Sequence, residues 1–151
     1  MIDGIDRSIL RHLREDGRMT ATALADKVGL TVAPCHRRLR ELESSGVIRG
    51  YRADIDPAAL GLGFEAIVFV TLRTVDRPTV SDFEERVAAL PNIVEAQRLF
   101  GSPDYLLRVI ATDLPGYQRF YDDQLAALPG VERLQSTLVM KNLKPNVGPP
   151  V

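Results

Sequence analysis

Residues 20–44, TATALADKVGLTVAPCHRRLRELES, contain the pattern that decides the fold of the first half of the chain. Apolar residues recur there at helical spacing, so a helix is predicted after Thr20 that ends at Gly29. A second helix is predicted to begin at Thr31, as its N-terminal cap, and to run to Ser45. Two short helices joined by a tight turn are typical of a helix-turn-helix.

The second of these helices carries the candidate DNA-binding residues. Cys35, Leu39 and Leu42 recur at helical spacing and are predicted to be buried. A rotation of about 100° per residue turns another face outward, and such a face can enter a major groove. Three arginines on a helix are also compatible with a merely solvated face, but a local charge of +3 over residues 36–52 favours DNA. The candidates are Thr31, Val32, Ala33, His36, Arg37 and Arg40. Arg38 lies beside the buried stripe and is expected to pair with an acidic residue.

Composition limits the class of protein. The 151 residues are 45% hydrophobic and 26% charged, with a net charge of -1, which is typical of a globular chain. No apolar stretch is long enough for a membrane span and no secretion signal precedes the charged N-terminus, so a soluble cytoplasmic protein without a membrane partner is expected. A single cysteine excludes an intramolecular disulfide, and one cysteine with two histidines argues against a tetrahedral zinc site.

The second half of the chain carries a weak internal repeat, in which Leu90-Pro91 is echoed by Leu128-Pro129. Helical and β-rich segments alternate around both copies in the order βαββαβ, which predicts a ferredoxin-like sheet with both helices on one face. The predicted strands are Ala66–Thr74, Ile93–Phe100, Tyr105–Ala111 and Val131–Met140, and the predicted helices are Val80–Ala89 and Tyr117–Ala127.

The whole chain is therefore predicted to be α+β, with an N-terminal winged-helix-like helix-turn-helix domain joined by a β linker to the ferredoxin-like domain. The domain boundary is expected where the helical pattern gives way to the extended segment Val47–Ile55, which is followed by the turn residues Asp56-Pro57. The expected domains are a DNA-binding domain (1–50), a hinge (51–65), an effector-binding and oligomerisation domain (66–142) and a loosely ordered tail (143–151).

The predicted sheet has more apolar residues than one helix-covered face needs. Apolar residues occupy alternating strand positions that share one face of the sheet: Val68, Val70, Leu72, Leu107, Val109, Leu138 and Met140. Phe69 and Leu106 occupy the positions between them, which belong to the opposite face. A second copy of the chain is the simplest cover for the other face, so an obligate dimer is expected.

With these domains in place, the sequence resembles the leucine-responsive regulatory protein/asparagine regulator (Lrp/AsnC) family of bacterial and archaeal transcription regulators. The similarity covers nearly the whole chain. It is carried by the stretches Asp3–Leu10, Asp16–Arg18, Leu24–Thr31, Arg38–Glu43, Gly46–Tyr51 and Gly101–Leu107. In a related subgroup a tryptophan often follows the cysteine, where this chain has His36. This position projects toward the groove, so the resemblance does not define the exact DNA sequence preference.

The resemblance implies a mechanism. Dimers pair through the second domain, often assemble into octamers, and wrap or bend nucleoid DNA that carries several sites. A free amino acid binds near the turn Gly101, Ser102, Pro103 and Asp104, with Ser136 and Thr137 of a neighbouring subunit as further candidates. Asp104 could hold the α-ammonium group, although the same four residues also suit an ordinary β-turn.

Two alternatives remain beside an amino-acid-responsive regulator. A nucleoid-type DNA-organising protein would use the same helix-turn-helix without an effector, and would show steep salt dependence with little sequence preference. Enzymatic activity is not expected, because the sequence lacks a phosphate-binding glycine loop, a metal cluster and a nucleophile–base pair. No cofactor is expected either. Glu84 and Glu85 are interpreted as exposed solubilising residues, and Cys35 as a buried apolar filler.

Overall fold

A computed structural model of the chain describes residues 1–144 and 146–151. It forms two compact units. The helical unit comprises Met1–Asp54 together with Lys144–Val151, and the sheet unit comprises Ile55–Leu143. Each unit has its own hydrophobic core.

The helical unit contains the predicted helix-turn-helix. Its helices are α1 (Gly4–Glu15), α2 (Ala21–Val28) and α3 (Val32–Ser44). Gly29 ends α2 in the left-handed conformation (φ 70°), which a glycine adopts without steric cost and which permits the sharp turn into α3. Thr31 occupies the predicted N-cap position, but its side chain makes no capping hydrogen bond. The helices α2 and α3 therefore lie where the sequence predicted them, but the Thr31 cap lacks the expected hydrogen bond.

The predicted β linker is wrong in one respect. None of the residues from Val47 to Ile55 belongs to a strand. A strand needs a hydrogen-bonded neighbour, and the sheet of the described chain consists only of four other segments. Extended propensity alone therefore gave no strand in this stretch.

The tail was expected to be loosely ordered, but its described part contacts α1. The Arg14 guanidinium donates a hydrogen bond of 3.0 Å to the Pro149 carbonyl, and Arg11 Nε donates one of 3.4 Å to the Val151 carbonyl. Both bonds are exposed. Position 145 of the tail lies outside the described residues.

The sheet unit has the predicted βαββαβ order. Its strands and helices are β1 (Phe64–Leu72), α4 (Arg77–Ala88), β2 (Ile93–Arg98), β3 (Tyr105–Ala111), α5 (Leu114–Phe120) and β4 (Val131–Leu138). The strands lie in the order β2-β3-β1-β4, all antiparallel. Both helices begin earlier than predicted, because Asp76 and Asp113 cap them and a proline follows in each first turn. A π-helical turn (Tyr121–Leu125) continues α5.

One face of the sheet forms the core against the helices. Val68, Val70 and Leu107 are buried there as predicted. Leu138 and Met140 were assigned to the same inward parity, but they are 54% and 99% exposed. Leu138 lies at the end of an edge strand, which has a neighbour on one side only, and Met140 follows the end of that strand.

Candidate DNA interface and ligand clefts

The exposed face of α3 brings the predicted DNA-binding residues together. All six candidates, Thr31, Val32, Ala33, His36, Arg37 and Arg40, are solvent-exposed. The opposite side of the helix is buried through Cys35 and Leu42. A shallow concavity on the exposed face is lined by Ala33, His36, Arg37, Arg40, Glu41 and Ser44. The helix therefore presents one continuous polar face, which we call the α3 face.

The charges on the α3 face favour an anionic partner. Among the described residues, Arg37 makes only a long exposed ion pair with Glu41, with 4.0 Å between Arg37 Nε and Glu41 Oε1. Arg40 makes no ion pair with any described residue. An exposed pair of this kind contributes little, so both guanidinium groups can bind phosphate or a base edge.

Arg38 has the acidic partner that the sequence predicted, and in fact two. Its Nη1 donates hydrogen bonds to Asp3 (2.7 Å) and to Asp6 (2.9 Å) at the start of α1. The bonds to Asp3 and Asp6 raise the pKa of Arg38. The Asp6 backbone N–H, followed by Arg38, lowers the pKa of Asp3. Arg38 thus ties α3 to α1 and does not belong to the α3 face.

The predicted effector turn is held by Asp104. Its Oδ2 accepts a hydrogen bond of 2.8 Å from the Leu72 N–H, and its own N–H donates to the Val70 carbonyl at 2.9 Å. One carboxylate oxygen therefore attaches the turn to β1, a structural role that the sequence did not reveal. Gly101 adopts φ 140°, a conformation that side chains disfavour.

A cleft of about 320 Å³ lies beside this turn and is here called the turn cleft. It is lined by Phe69, Thr71, Ser102, Pro103, Arg133 and Gln135. Of the predicted turn residues, Ser102 and Pro103 line it, whereas Gly101 and Asp104 do not. The residues missed by sequence reasoning come from β1 and β4, which pair Phe69 with Gln135 and Thr71 with Arg133. Only the strand register brings them to the turn.

Within one chain, Ser136 and Thr137 do not line the turn cleft. Ser136 lies on the helix-covered face, where its hydroxyl is 2.5 Å from the Tyr117 hydroxyl. Thr137 pairs with Ile67 on β1. The sequence-based prediction placed both in a neighbouring subunit, so it stays a prediction.

A second cleft lies between α4 and the edge strand β2 and is here called the edge cleft. It has a volume of about 300 Å³ and is lined by Phe83, Glu84, Val87, Ala88, Ala96, Arg98 and Tyr105. Glu84 is exposed as predicted, but it is not only a solubilising residue. Its Oε1 accepts a hydrogen bond of 2.8 Å from the Tyr105 hydroxyl and lies 3.7 Å from Arg98 Nη1.

The described residues contain no group of three or more histidine, cysteine, aspartate or glutamate side chains that could hold a metal ion. No helix in the described part of the chain is long and apolar enough to cross a membrane.

Comparison with known proteins defines the class and then the family. Residues 2–49 match the winged helix-turn-helix DNA-binding family, and residues 65–149 match the Lrp/AsnC ligand binding domain. A DNA-binding domain followed by a ligand-binding domain defines a transcription regulator. The chain belongs to the Lrp/AsnC family, which confirms the resemblance and the fold class predicted from the sequence.

Individual relatives cover almost the whole chain. The leucine-responsive regulatory protein of Rhizobium meliloti is 38% identical over 143 residues, 95% of this chain and 92% of the relative. The Bkd operon transcriptional regulator of Pseudomonas aeruginosa is 37% identical over 150 residues, 99% and 98% of the two chains. The structure is similar to that of a Neisseria meningitidis transcriptional regulator in complex with L-methionine, with a TM-score of 0.91, 35% identity, and 95% and 93% of the two chains covered. These relatives are transcriptional regulators.

Proposed function

We propose that this chain is a sequence-specific DNA-binding regulator of transcription whose DNA affinity and assembly respond to a free amino acid. The observation that carries the proposal is the α3 face, an exposed helical surface with two available arginines. The protein acts in the cytoplasm of a bacterium or archaeon, on nucleoid DNA, without a cofactor and without a membrane partner.

In the proposed complex α3 enters the major groove of double-stranded DNA. The first residues of the helix, from Thr31 to Ala33, approach base edges, as in other helix-turn-helix proteins. Arg37 and Arg40 bind guanine edges or phosphates, and His36 lies between them and the helix start. The bonds from Arg38 to α1 fix the position of α3 for this contact.

The effector is proposed to bind at the turn of Gly101, Ser102, Pro103 and Asp104, with Ser136 and Thr137 supplied by a neighbouring subunit. Two observations support this location. The turn borders a cleft in which the Arg133 guanidinium could bind an α-carboxylate. Asp104 keeps Oδ1 outside its bond to Leu72, which suits an α-ammonium group. L-methionine is the amino acid in the Neisseria meningitidis complex.

Assembly is proposed to begin with a homodimer that covers the open face of the sheet. Ile67, Phe69 and Leu106 lie there, opposite the helix-covered residues, and are half-buried in one chain. The Arg108–Glu65 ion pair lies on the same face. An apolar centre beside a satisfied charge pair suits an interface between identical subunits. Further assembly to an octamer is part of the proposal.

A DNA selection experiment tests the DNA half of the proposal. Randomised duplexes selected on the purified protein should yield a consensus, and fluorescence anisotropy should show stronger binding to the consensus than to a shuffled duplex. The nucleoid-type alternative predicts no consensus and the same steep salt dependence for both duplexes.

A thermal-shift panel of the twenty amino acids tests the effector half. A ligand at about a hundred times its dissociation constant adds about 2.7 kcal/mol to the free energy of unfolding. Asp104→Asn is the matched variant, because its amide oxygen can still accept from the Leu72 N–H while the negative charge is lost. The proposal expects a selective shift that Asp104→Asn loses. An unchanged shift in this variant would remove Asp104 from the site, and no shift with any amino acid would favour the effector-free alternative.

A further inference from the structure

The edge cleft has an apolar floor closed by buried side chains. Phe83, Val87 and Tyr105 are 0%, 5% and 3% exposed, and the Phe83 and Tyr105 rings pack with centroids 4.5 Å apart. The small side chains of Ala88 on α4 and Ala96 on β2 leave the space above this floor open. A volume of about 300 Å³ is at the lower end of ligand sites, which suits a small molecule better than a helix or a peptide.

The rim of the edge cleft carries one charge of each sign. Glu84 and Arg98 are about half exposed and lie 3.7 Å apart, too far for a normal hydrogen bond. The Tyr105 hydroxyl orients Glu84 through Oε1, which leaves Oε2 for another donor. Burial and the Glu84 carboxylate raise the pKa of Tyr105 to about 12, so this hydroxyl keeps its proton at neutral pH.

A free α-amino acid has the complementary charges. Its ammonium group can donate to the Glu84 carboxylate, and its carboxylate can accept from the Arg98 guanidinium, each a charge-assisted hydrogen bond. An apolar side chain then covers Ala88, Ala96 and the floor. The turn cleft differs, because Arg133 is the one ionisable side chain that lines it in the described chain, and the Asp104 carboxylate of the adjoining turn lies outside that lining.

We propose that the edge cleft is a second ligand site, which binds a free amino acid with an apolar side chain between Glu84 and Arg98. This site shares its class of ligand with the proposed function, but it needs neither the turn cleft nor a neighbouring subunit. The sequence positions that build it lie on α4, β2 and β3.

Isothermal titration calorimetry of the full chain tests this proposal with L-leucine, L-methionine and L-phenylalanine as probes. Ala96→Leu fills the cleft, and Glu84→Gln removes the negative charge from its rim. Glu85→Gln is the matched control, because Glu85 is the exposed neighbour on α4 that does not line the cleft. Size-exclusion chromatography and melting temperature check that each variant keeps its fold and assembly.

At least one probe should bind to the edge cleft of the unaltered chain, and this binding should be absent from Ala96→Leu. In Glu84→Gln the same probe should bind at least about tenfold more weakly, a change of about 1.4 kcal/mol in binding free energy. Glu85→Gln and Asp104→Asn should retain the edge site. N-acetyl-L-leucine and L-leucinamide, which lack one charge each, should bind weakly or not at all.

Other outcomes separate the two sites. If Asp104→Asn abolished all binding while Ala96→Leu changed nothing, the turn cleft would be the only amino-acid site and the edge-site proposal would be wrong. Equal binding of L-leucine and N-acetyl-L-leucine would contradict the role of Glu84. If no probe gave heat with the unaltered chain, the edge site would be excluded for this class of ligand, while the panel of twenty amino acids would still decide the turn site.

Discussion

The two units build their candidate sites in different ways. In the helical unit, the α3 face consists of neighbours on one helix, whose orientation follows from the helical period. In the sheet unit, each cleft combines distant parts of the sequence: Thr71 meets Arg133 in the turn cleft, and Glu84 meets Arg98 in the edge cleft. A site on one helix is therefore visible in the sequence, whereas a site between strands depends on their register.

The hydrophobic cores of the two units also differ, in the number of buried residues that form them. Five buried residues, Ile9, Leu24, Ala25, Cys35 and Leu42, form the core of the helical unit. In the described part of the sheet unit, fourteen buried residues form the core, including the aromatic pair of Phe83 and Tyr105. Because apolar burial is the main favourable term in folding, we expect the sheet unit to be the more stable of the two.

The largest expected effect tests the assigned core of the sheet unit. Phe83→Ala should lower the free energy of unfolding by about 3–5 kcal/mol, because Phe83 is fully buried in the sheet-unit core. Phe100→Ala is the matched control, since Phe100 is fully exposed and its loss should change stability by less than about 0.5 kcal/mol. Urea unfolding monitored by circular dichroism gives both values. Equal values for the two variants would contradict the assigned core.

The next effect concerns the helical unit and its DNA contact. Arg40→Ala should weaken binding to the selected DNA by about 10- to 100-fold, corresponding to about 1–3 kcal/mol for a base contact, without lowering the melting temperature. Fluorescence anisotropy measures the affinity. Arg86→Ala on α4 is the control, and it should leave DNA affinity unchanged. A loss of affinity in Arg86→Ala equal to that in Arg40→Ala would remove the distinction between the two units.

A third variant separates the α3 face from its support. Arg38→Gln breaks the charged bonds to Asp3 and Asp6, so it should lower the melting temperature, unlike Arg40→Ala. Its effect on DNA affinity should be smaller than that of Arg40→Ala, because Arg38 positions α3 and is not placed on the DNA. Differential scanning fluorimetry and anisotropy on the same preparations give the two readouts. An unchanged melting temperature in Arg38→Gln would show that the bonds from Arg38 to Asp3 and Asp6 are not stabilising.

The sequence predicted most of the fold because local patterns decide it. Helical spacing and Gly29 define α2 and α3, and the duplicated Leu-Pro pattern defines the order of the sheet unit. The prediction of a β linker was wrong, since a segment of high extended propensity needs a neighbouring strand, and none pairs with it in the described part of the chain. For the sites, the α3 face followed from periodicity. The local sequence does not indicate the strand register that brings Arg133 to the turn. It also does not indicate the packing that brings Glu84 to the Tyr105 hydroxyl.

The helix caps of the two units are expected to differ in how their contribution to stability depends on pH. Hydrogen bonds from Thr74 and Thr79 lower the pKa of Asp76, the cap of α4, from its ordinary 3.8 to about 2. A lowered carboxylate pKa stabilises the fold above pH 3.8, and this contribution is lost as the pH falls towards 2. Asp76→Ala should therefore lose less stability than the unaltered chain between these pH values, measured by urea unfolding. Thr31→Ala, which removes no side-chain capping bond, should leave the acid dependence unchanged.

The smallest expected effect concerns Cys35, which lies at the centre of the helical-unit core. Its side chain is fully buried, and burial raises the pKa of the thiol, so the reactive thiolate is scarce at neutral pH. Cys35→Val should change the free energy of unfolding by less than about 1.5 kcal/mol and leave DNA affinity unchanged. Anisotropy before and after treatment with hydrogen peroxide provides the decisive measurement. If peroxide weakened DNA binding of the unaltered chain but not of Cys35→Val, this thiol would be a redox sensor and the small core of the helical unit would have a regulatory role that its burial argues against.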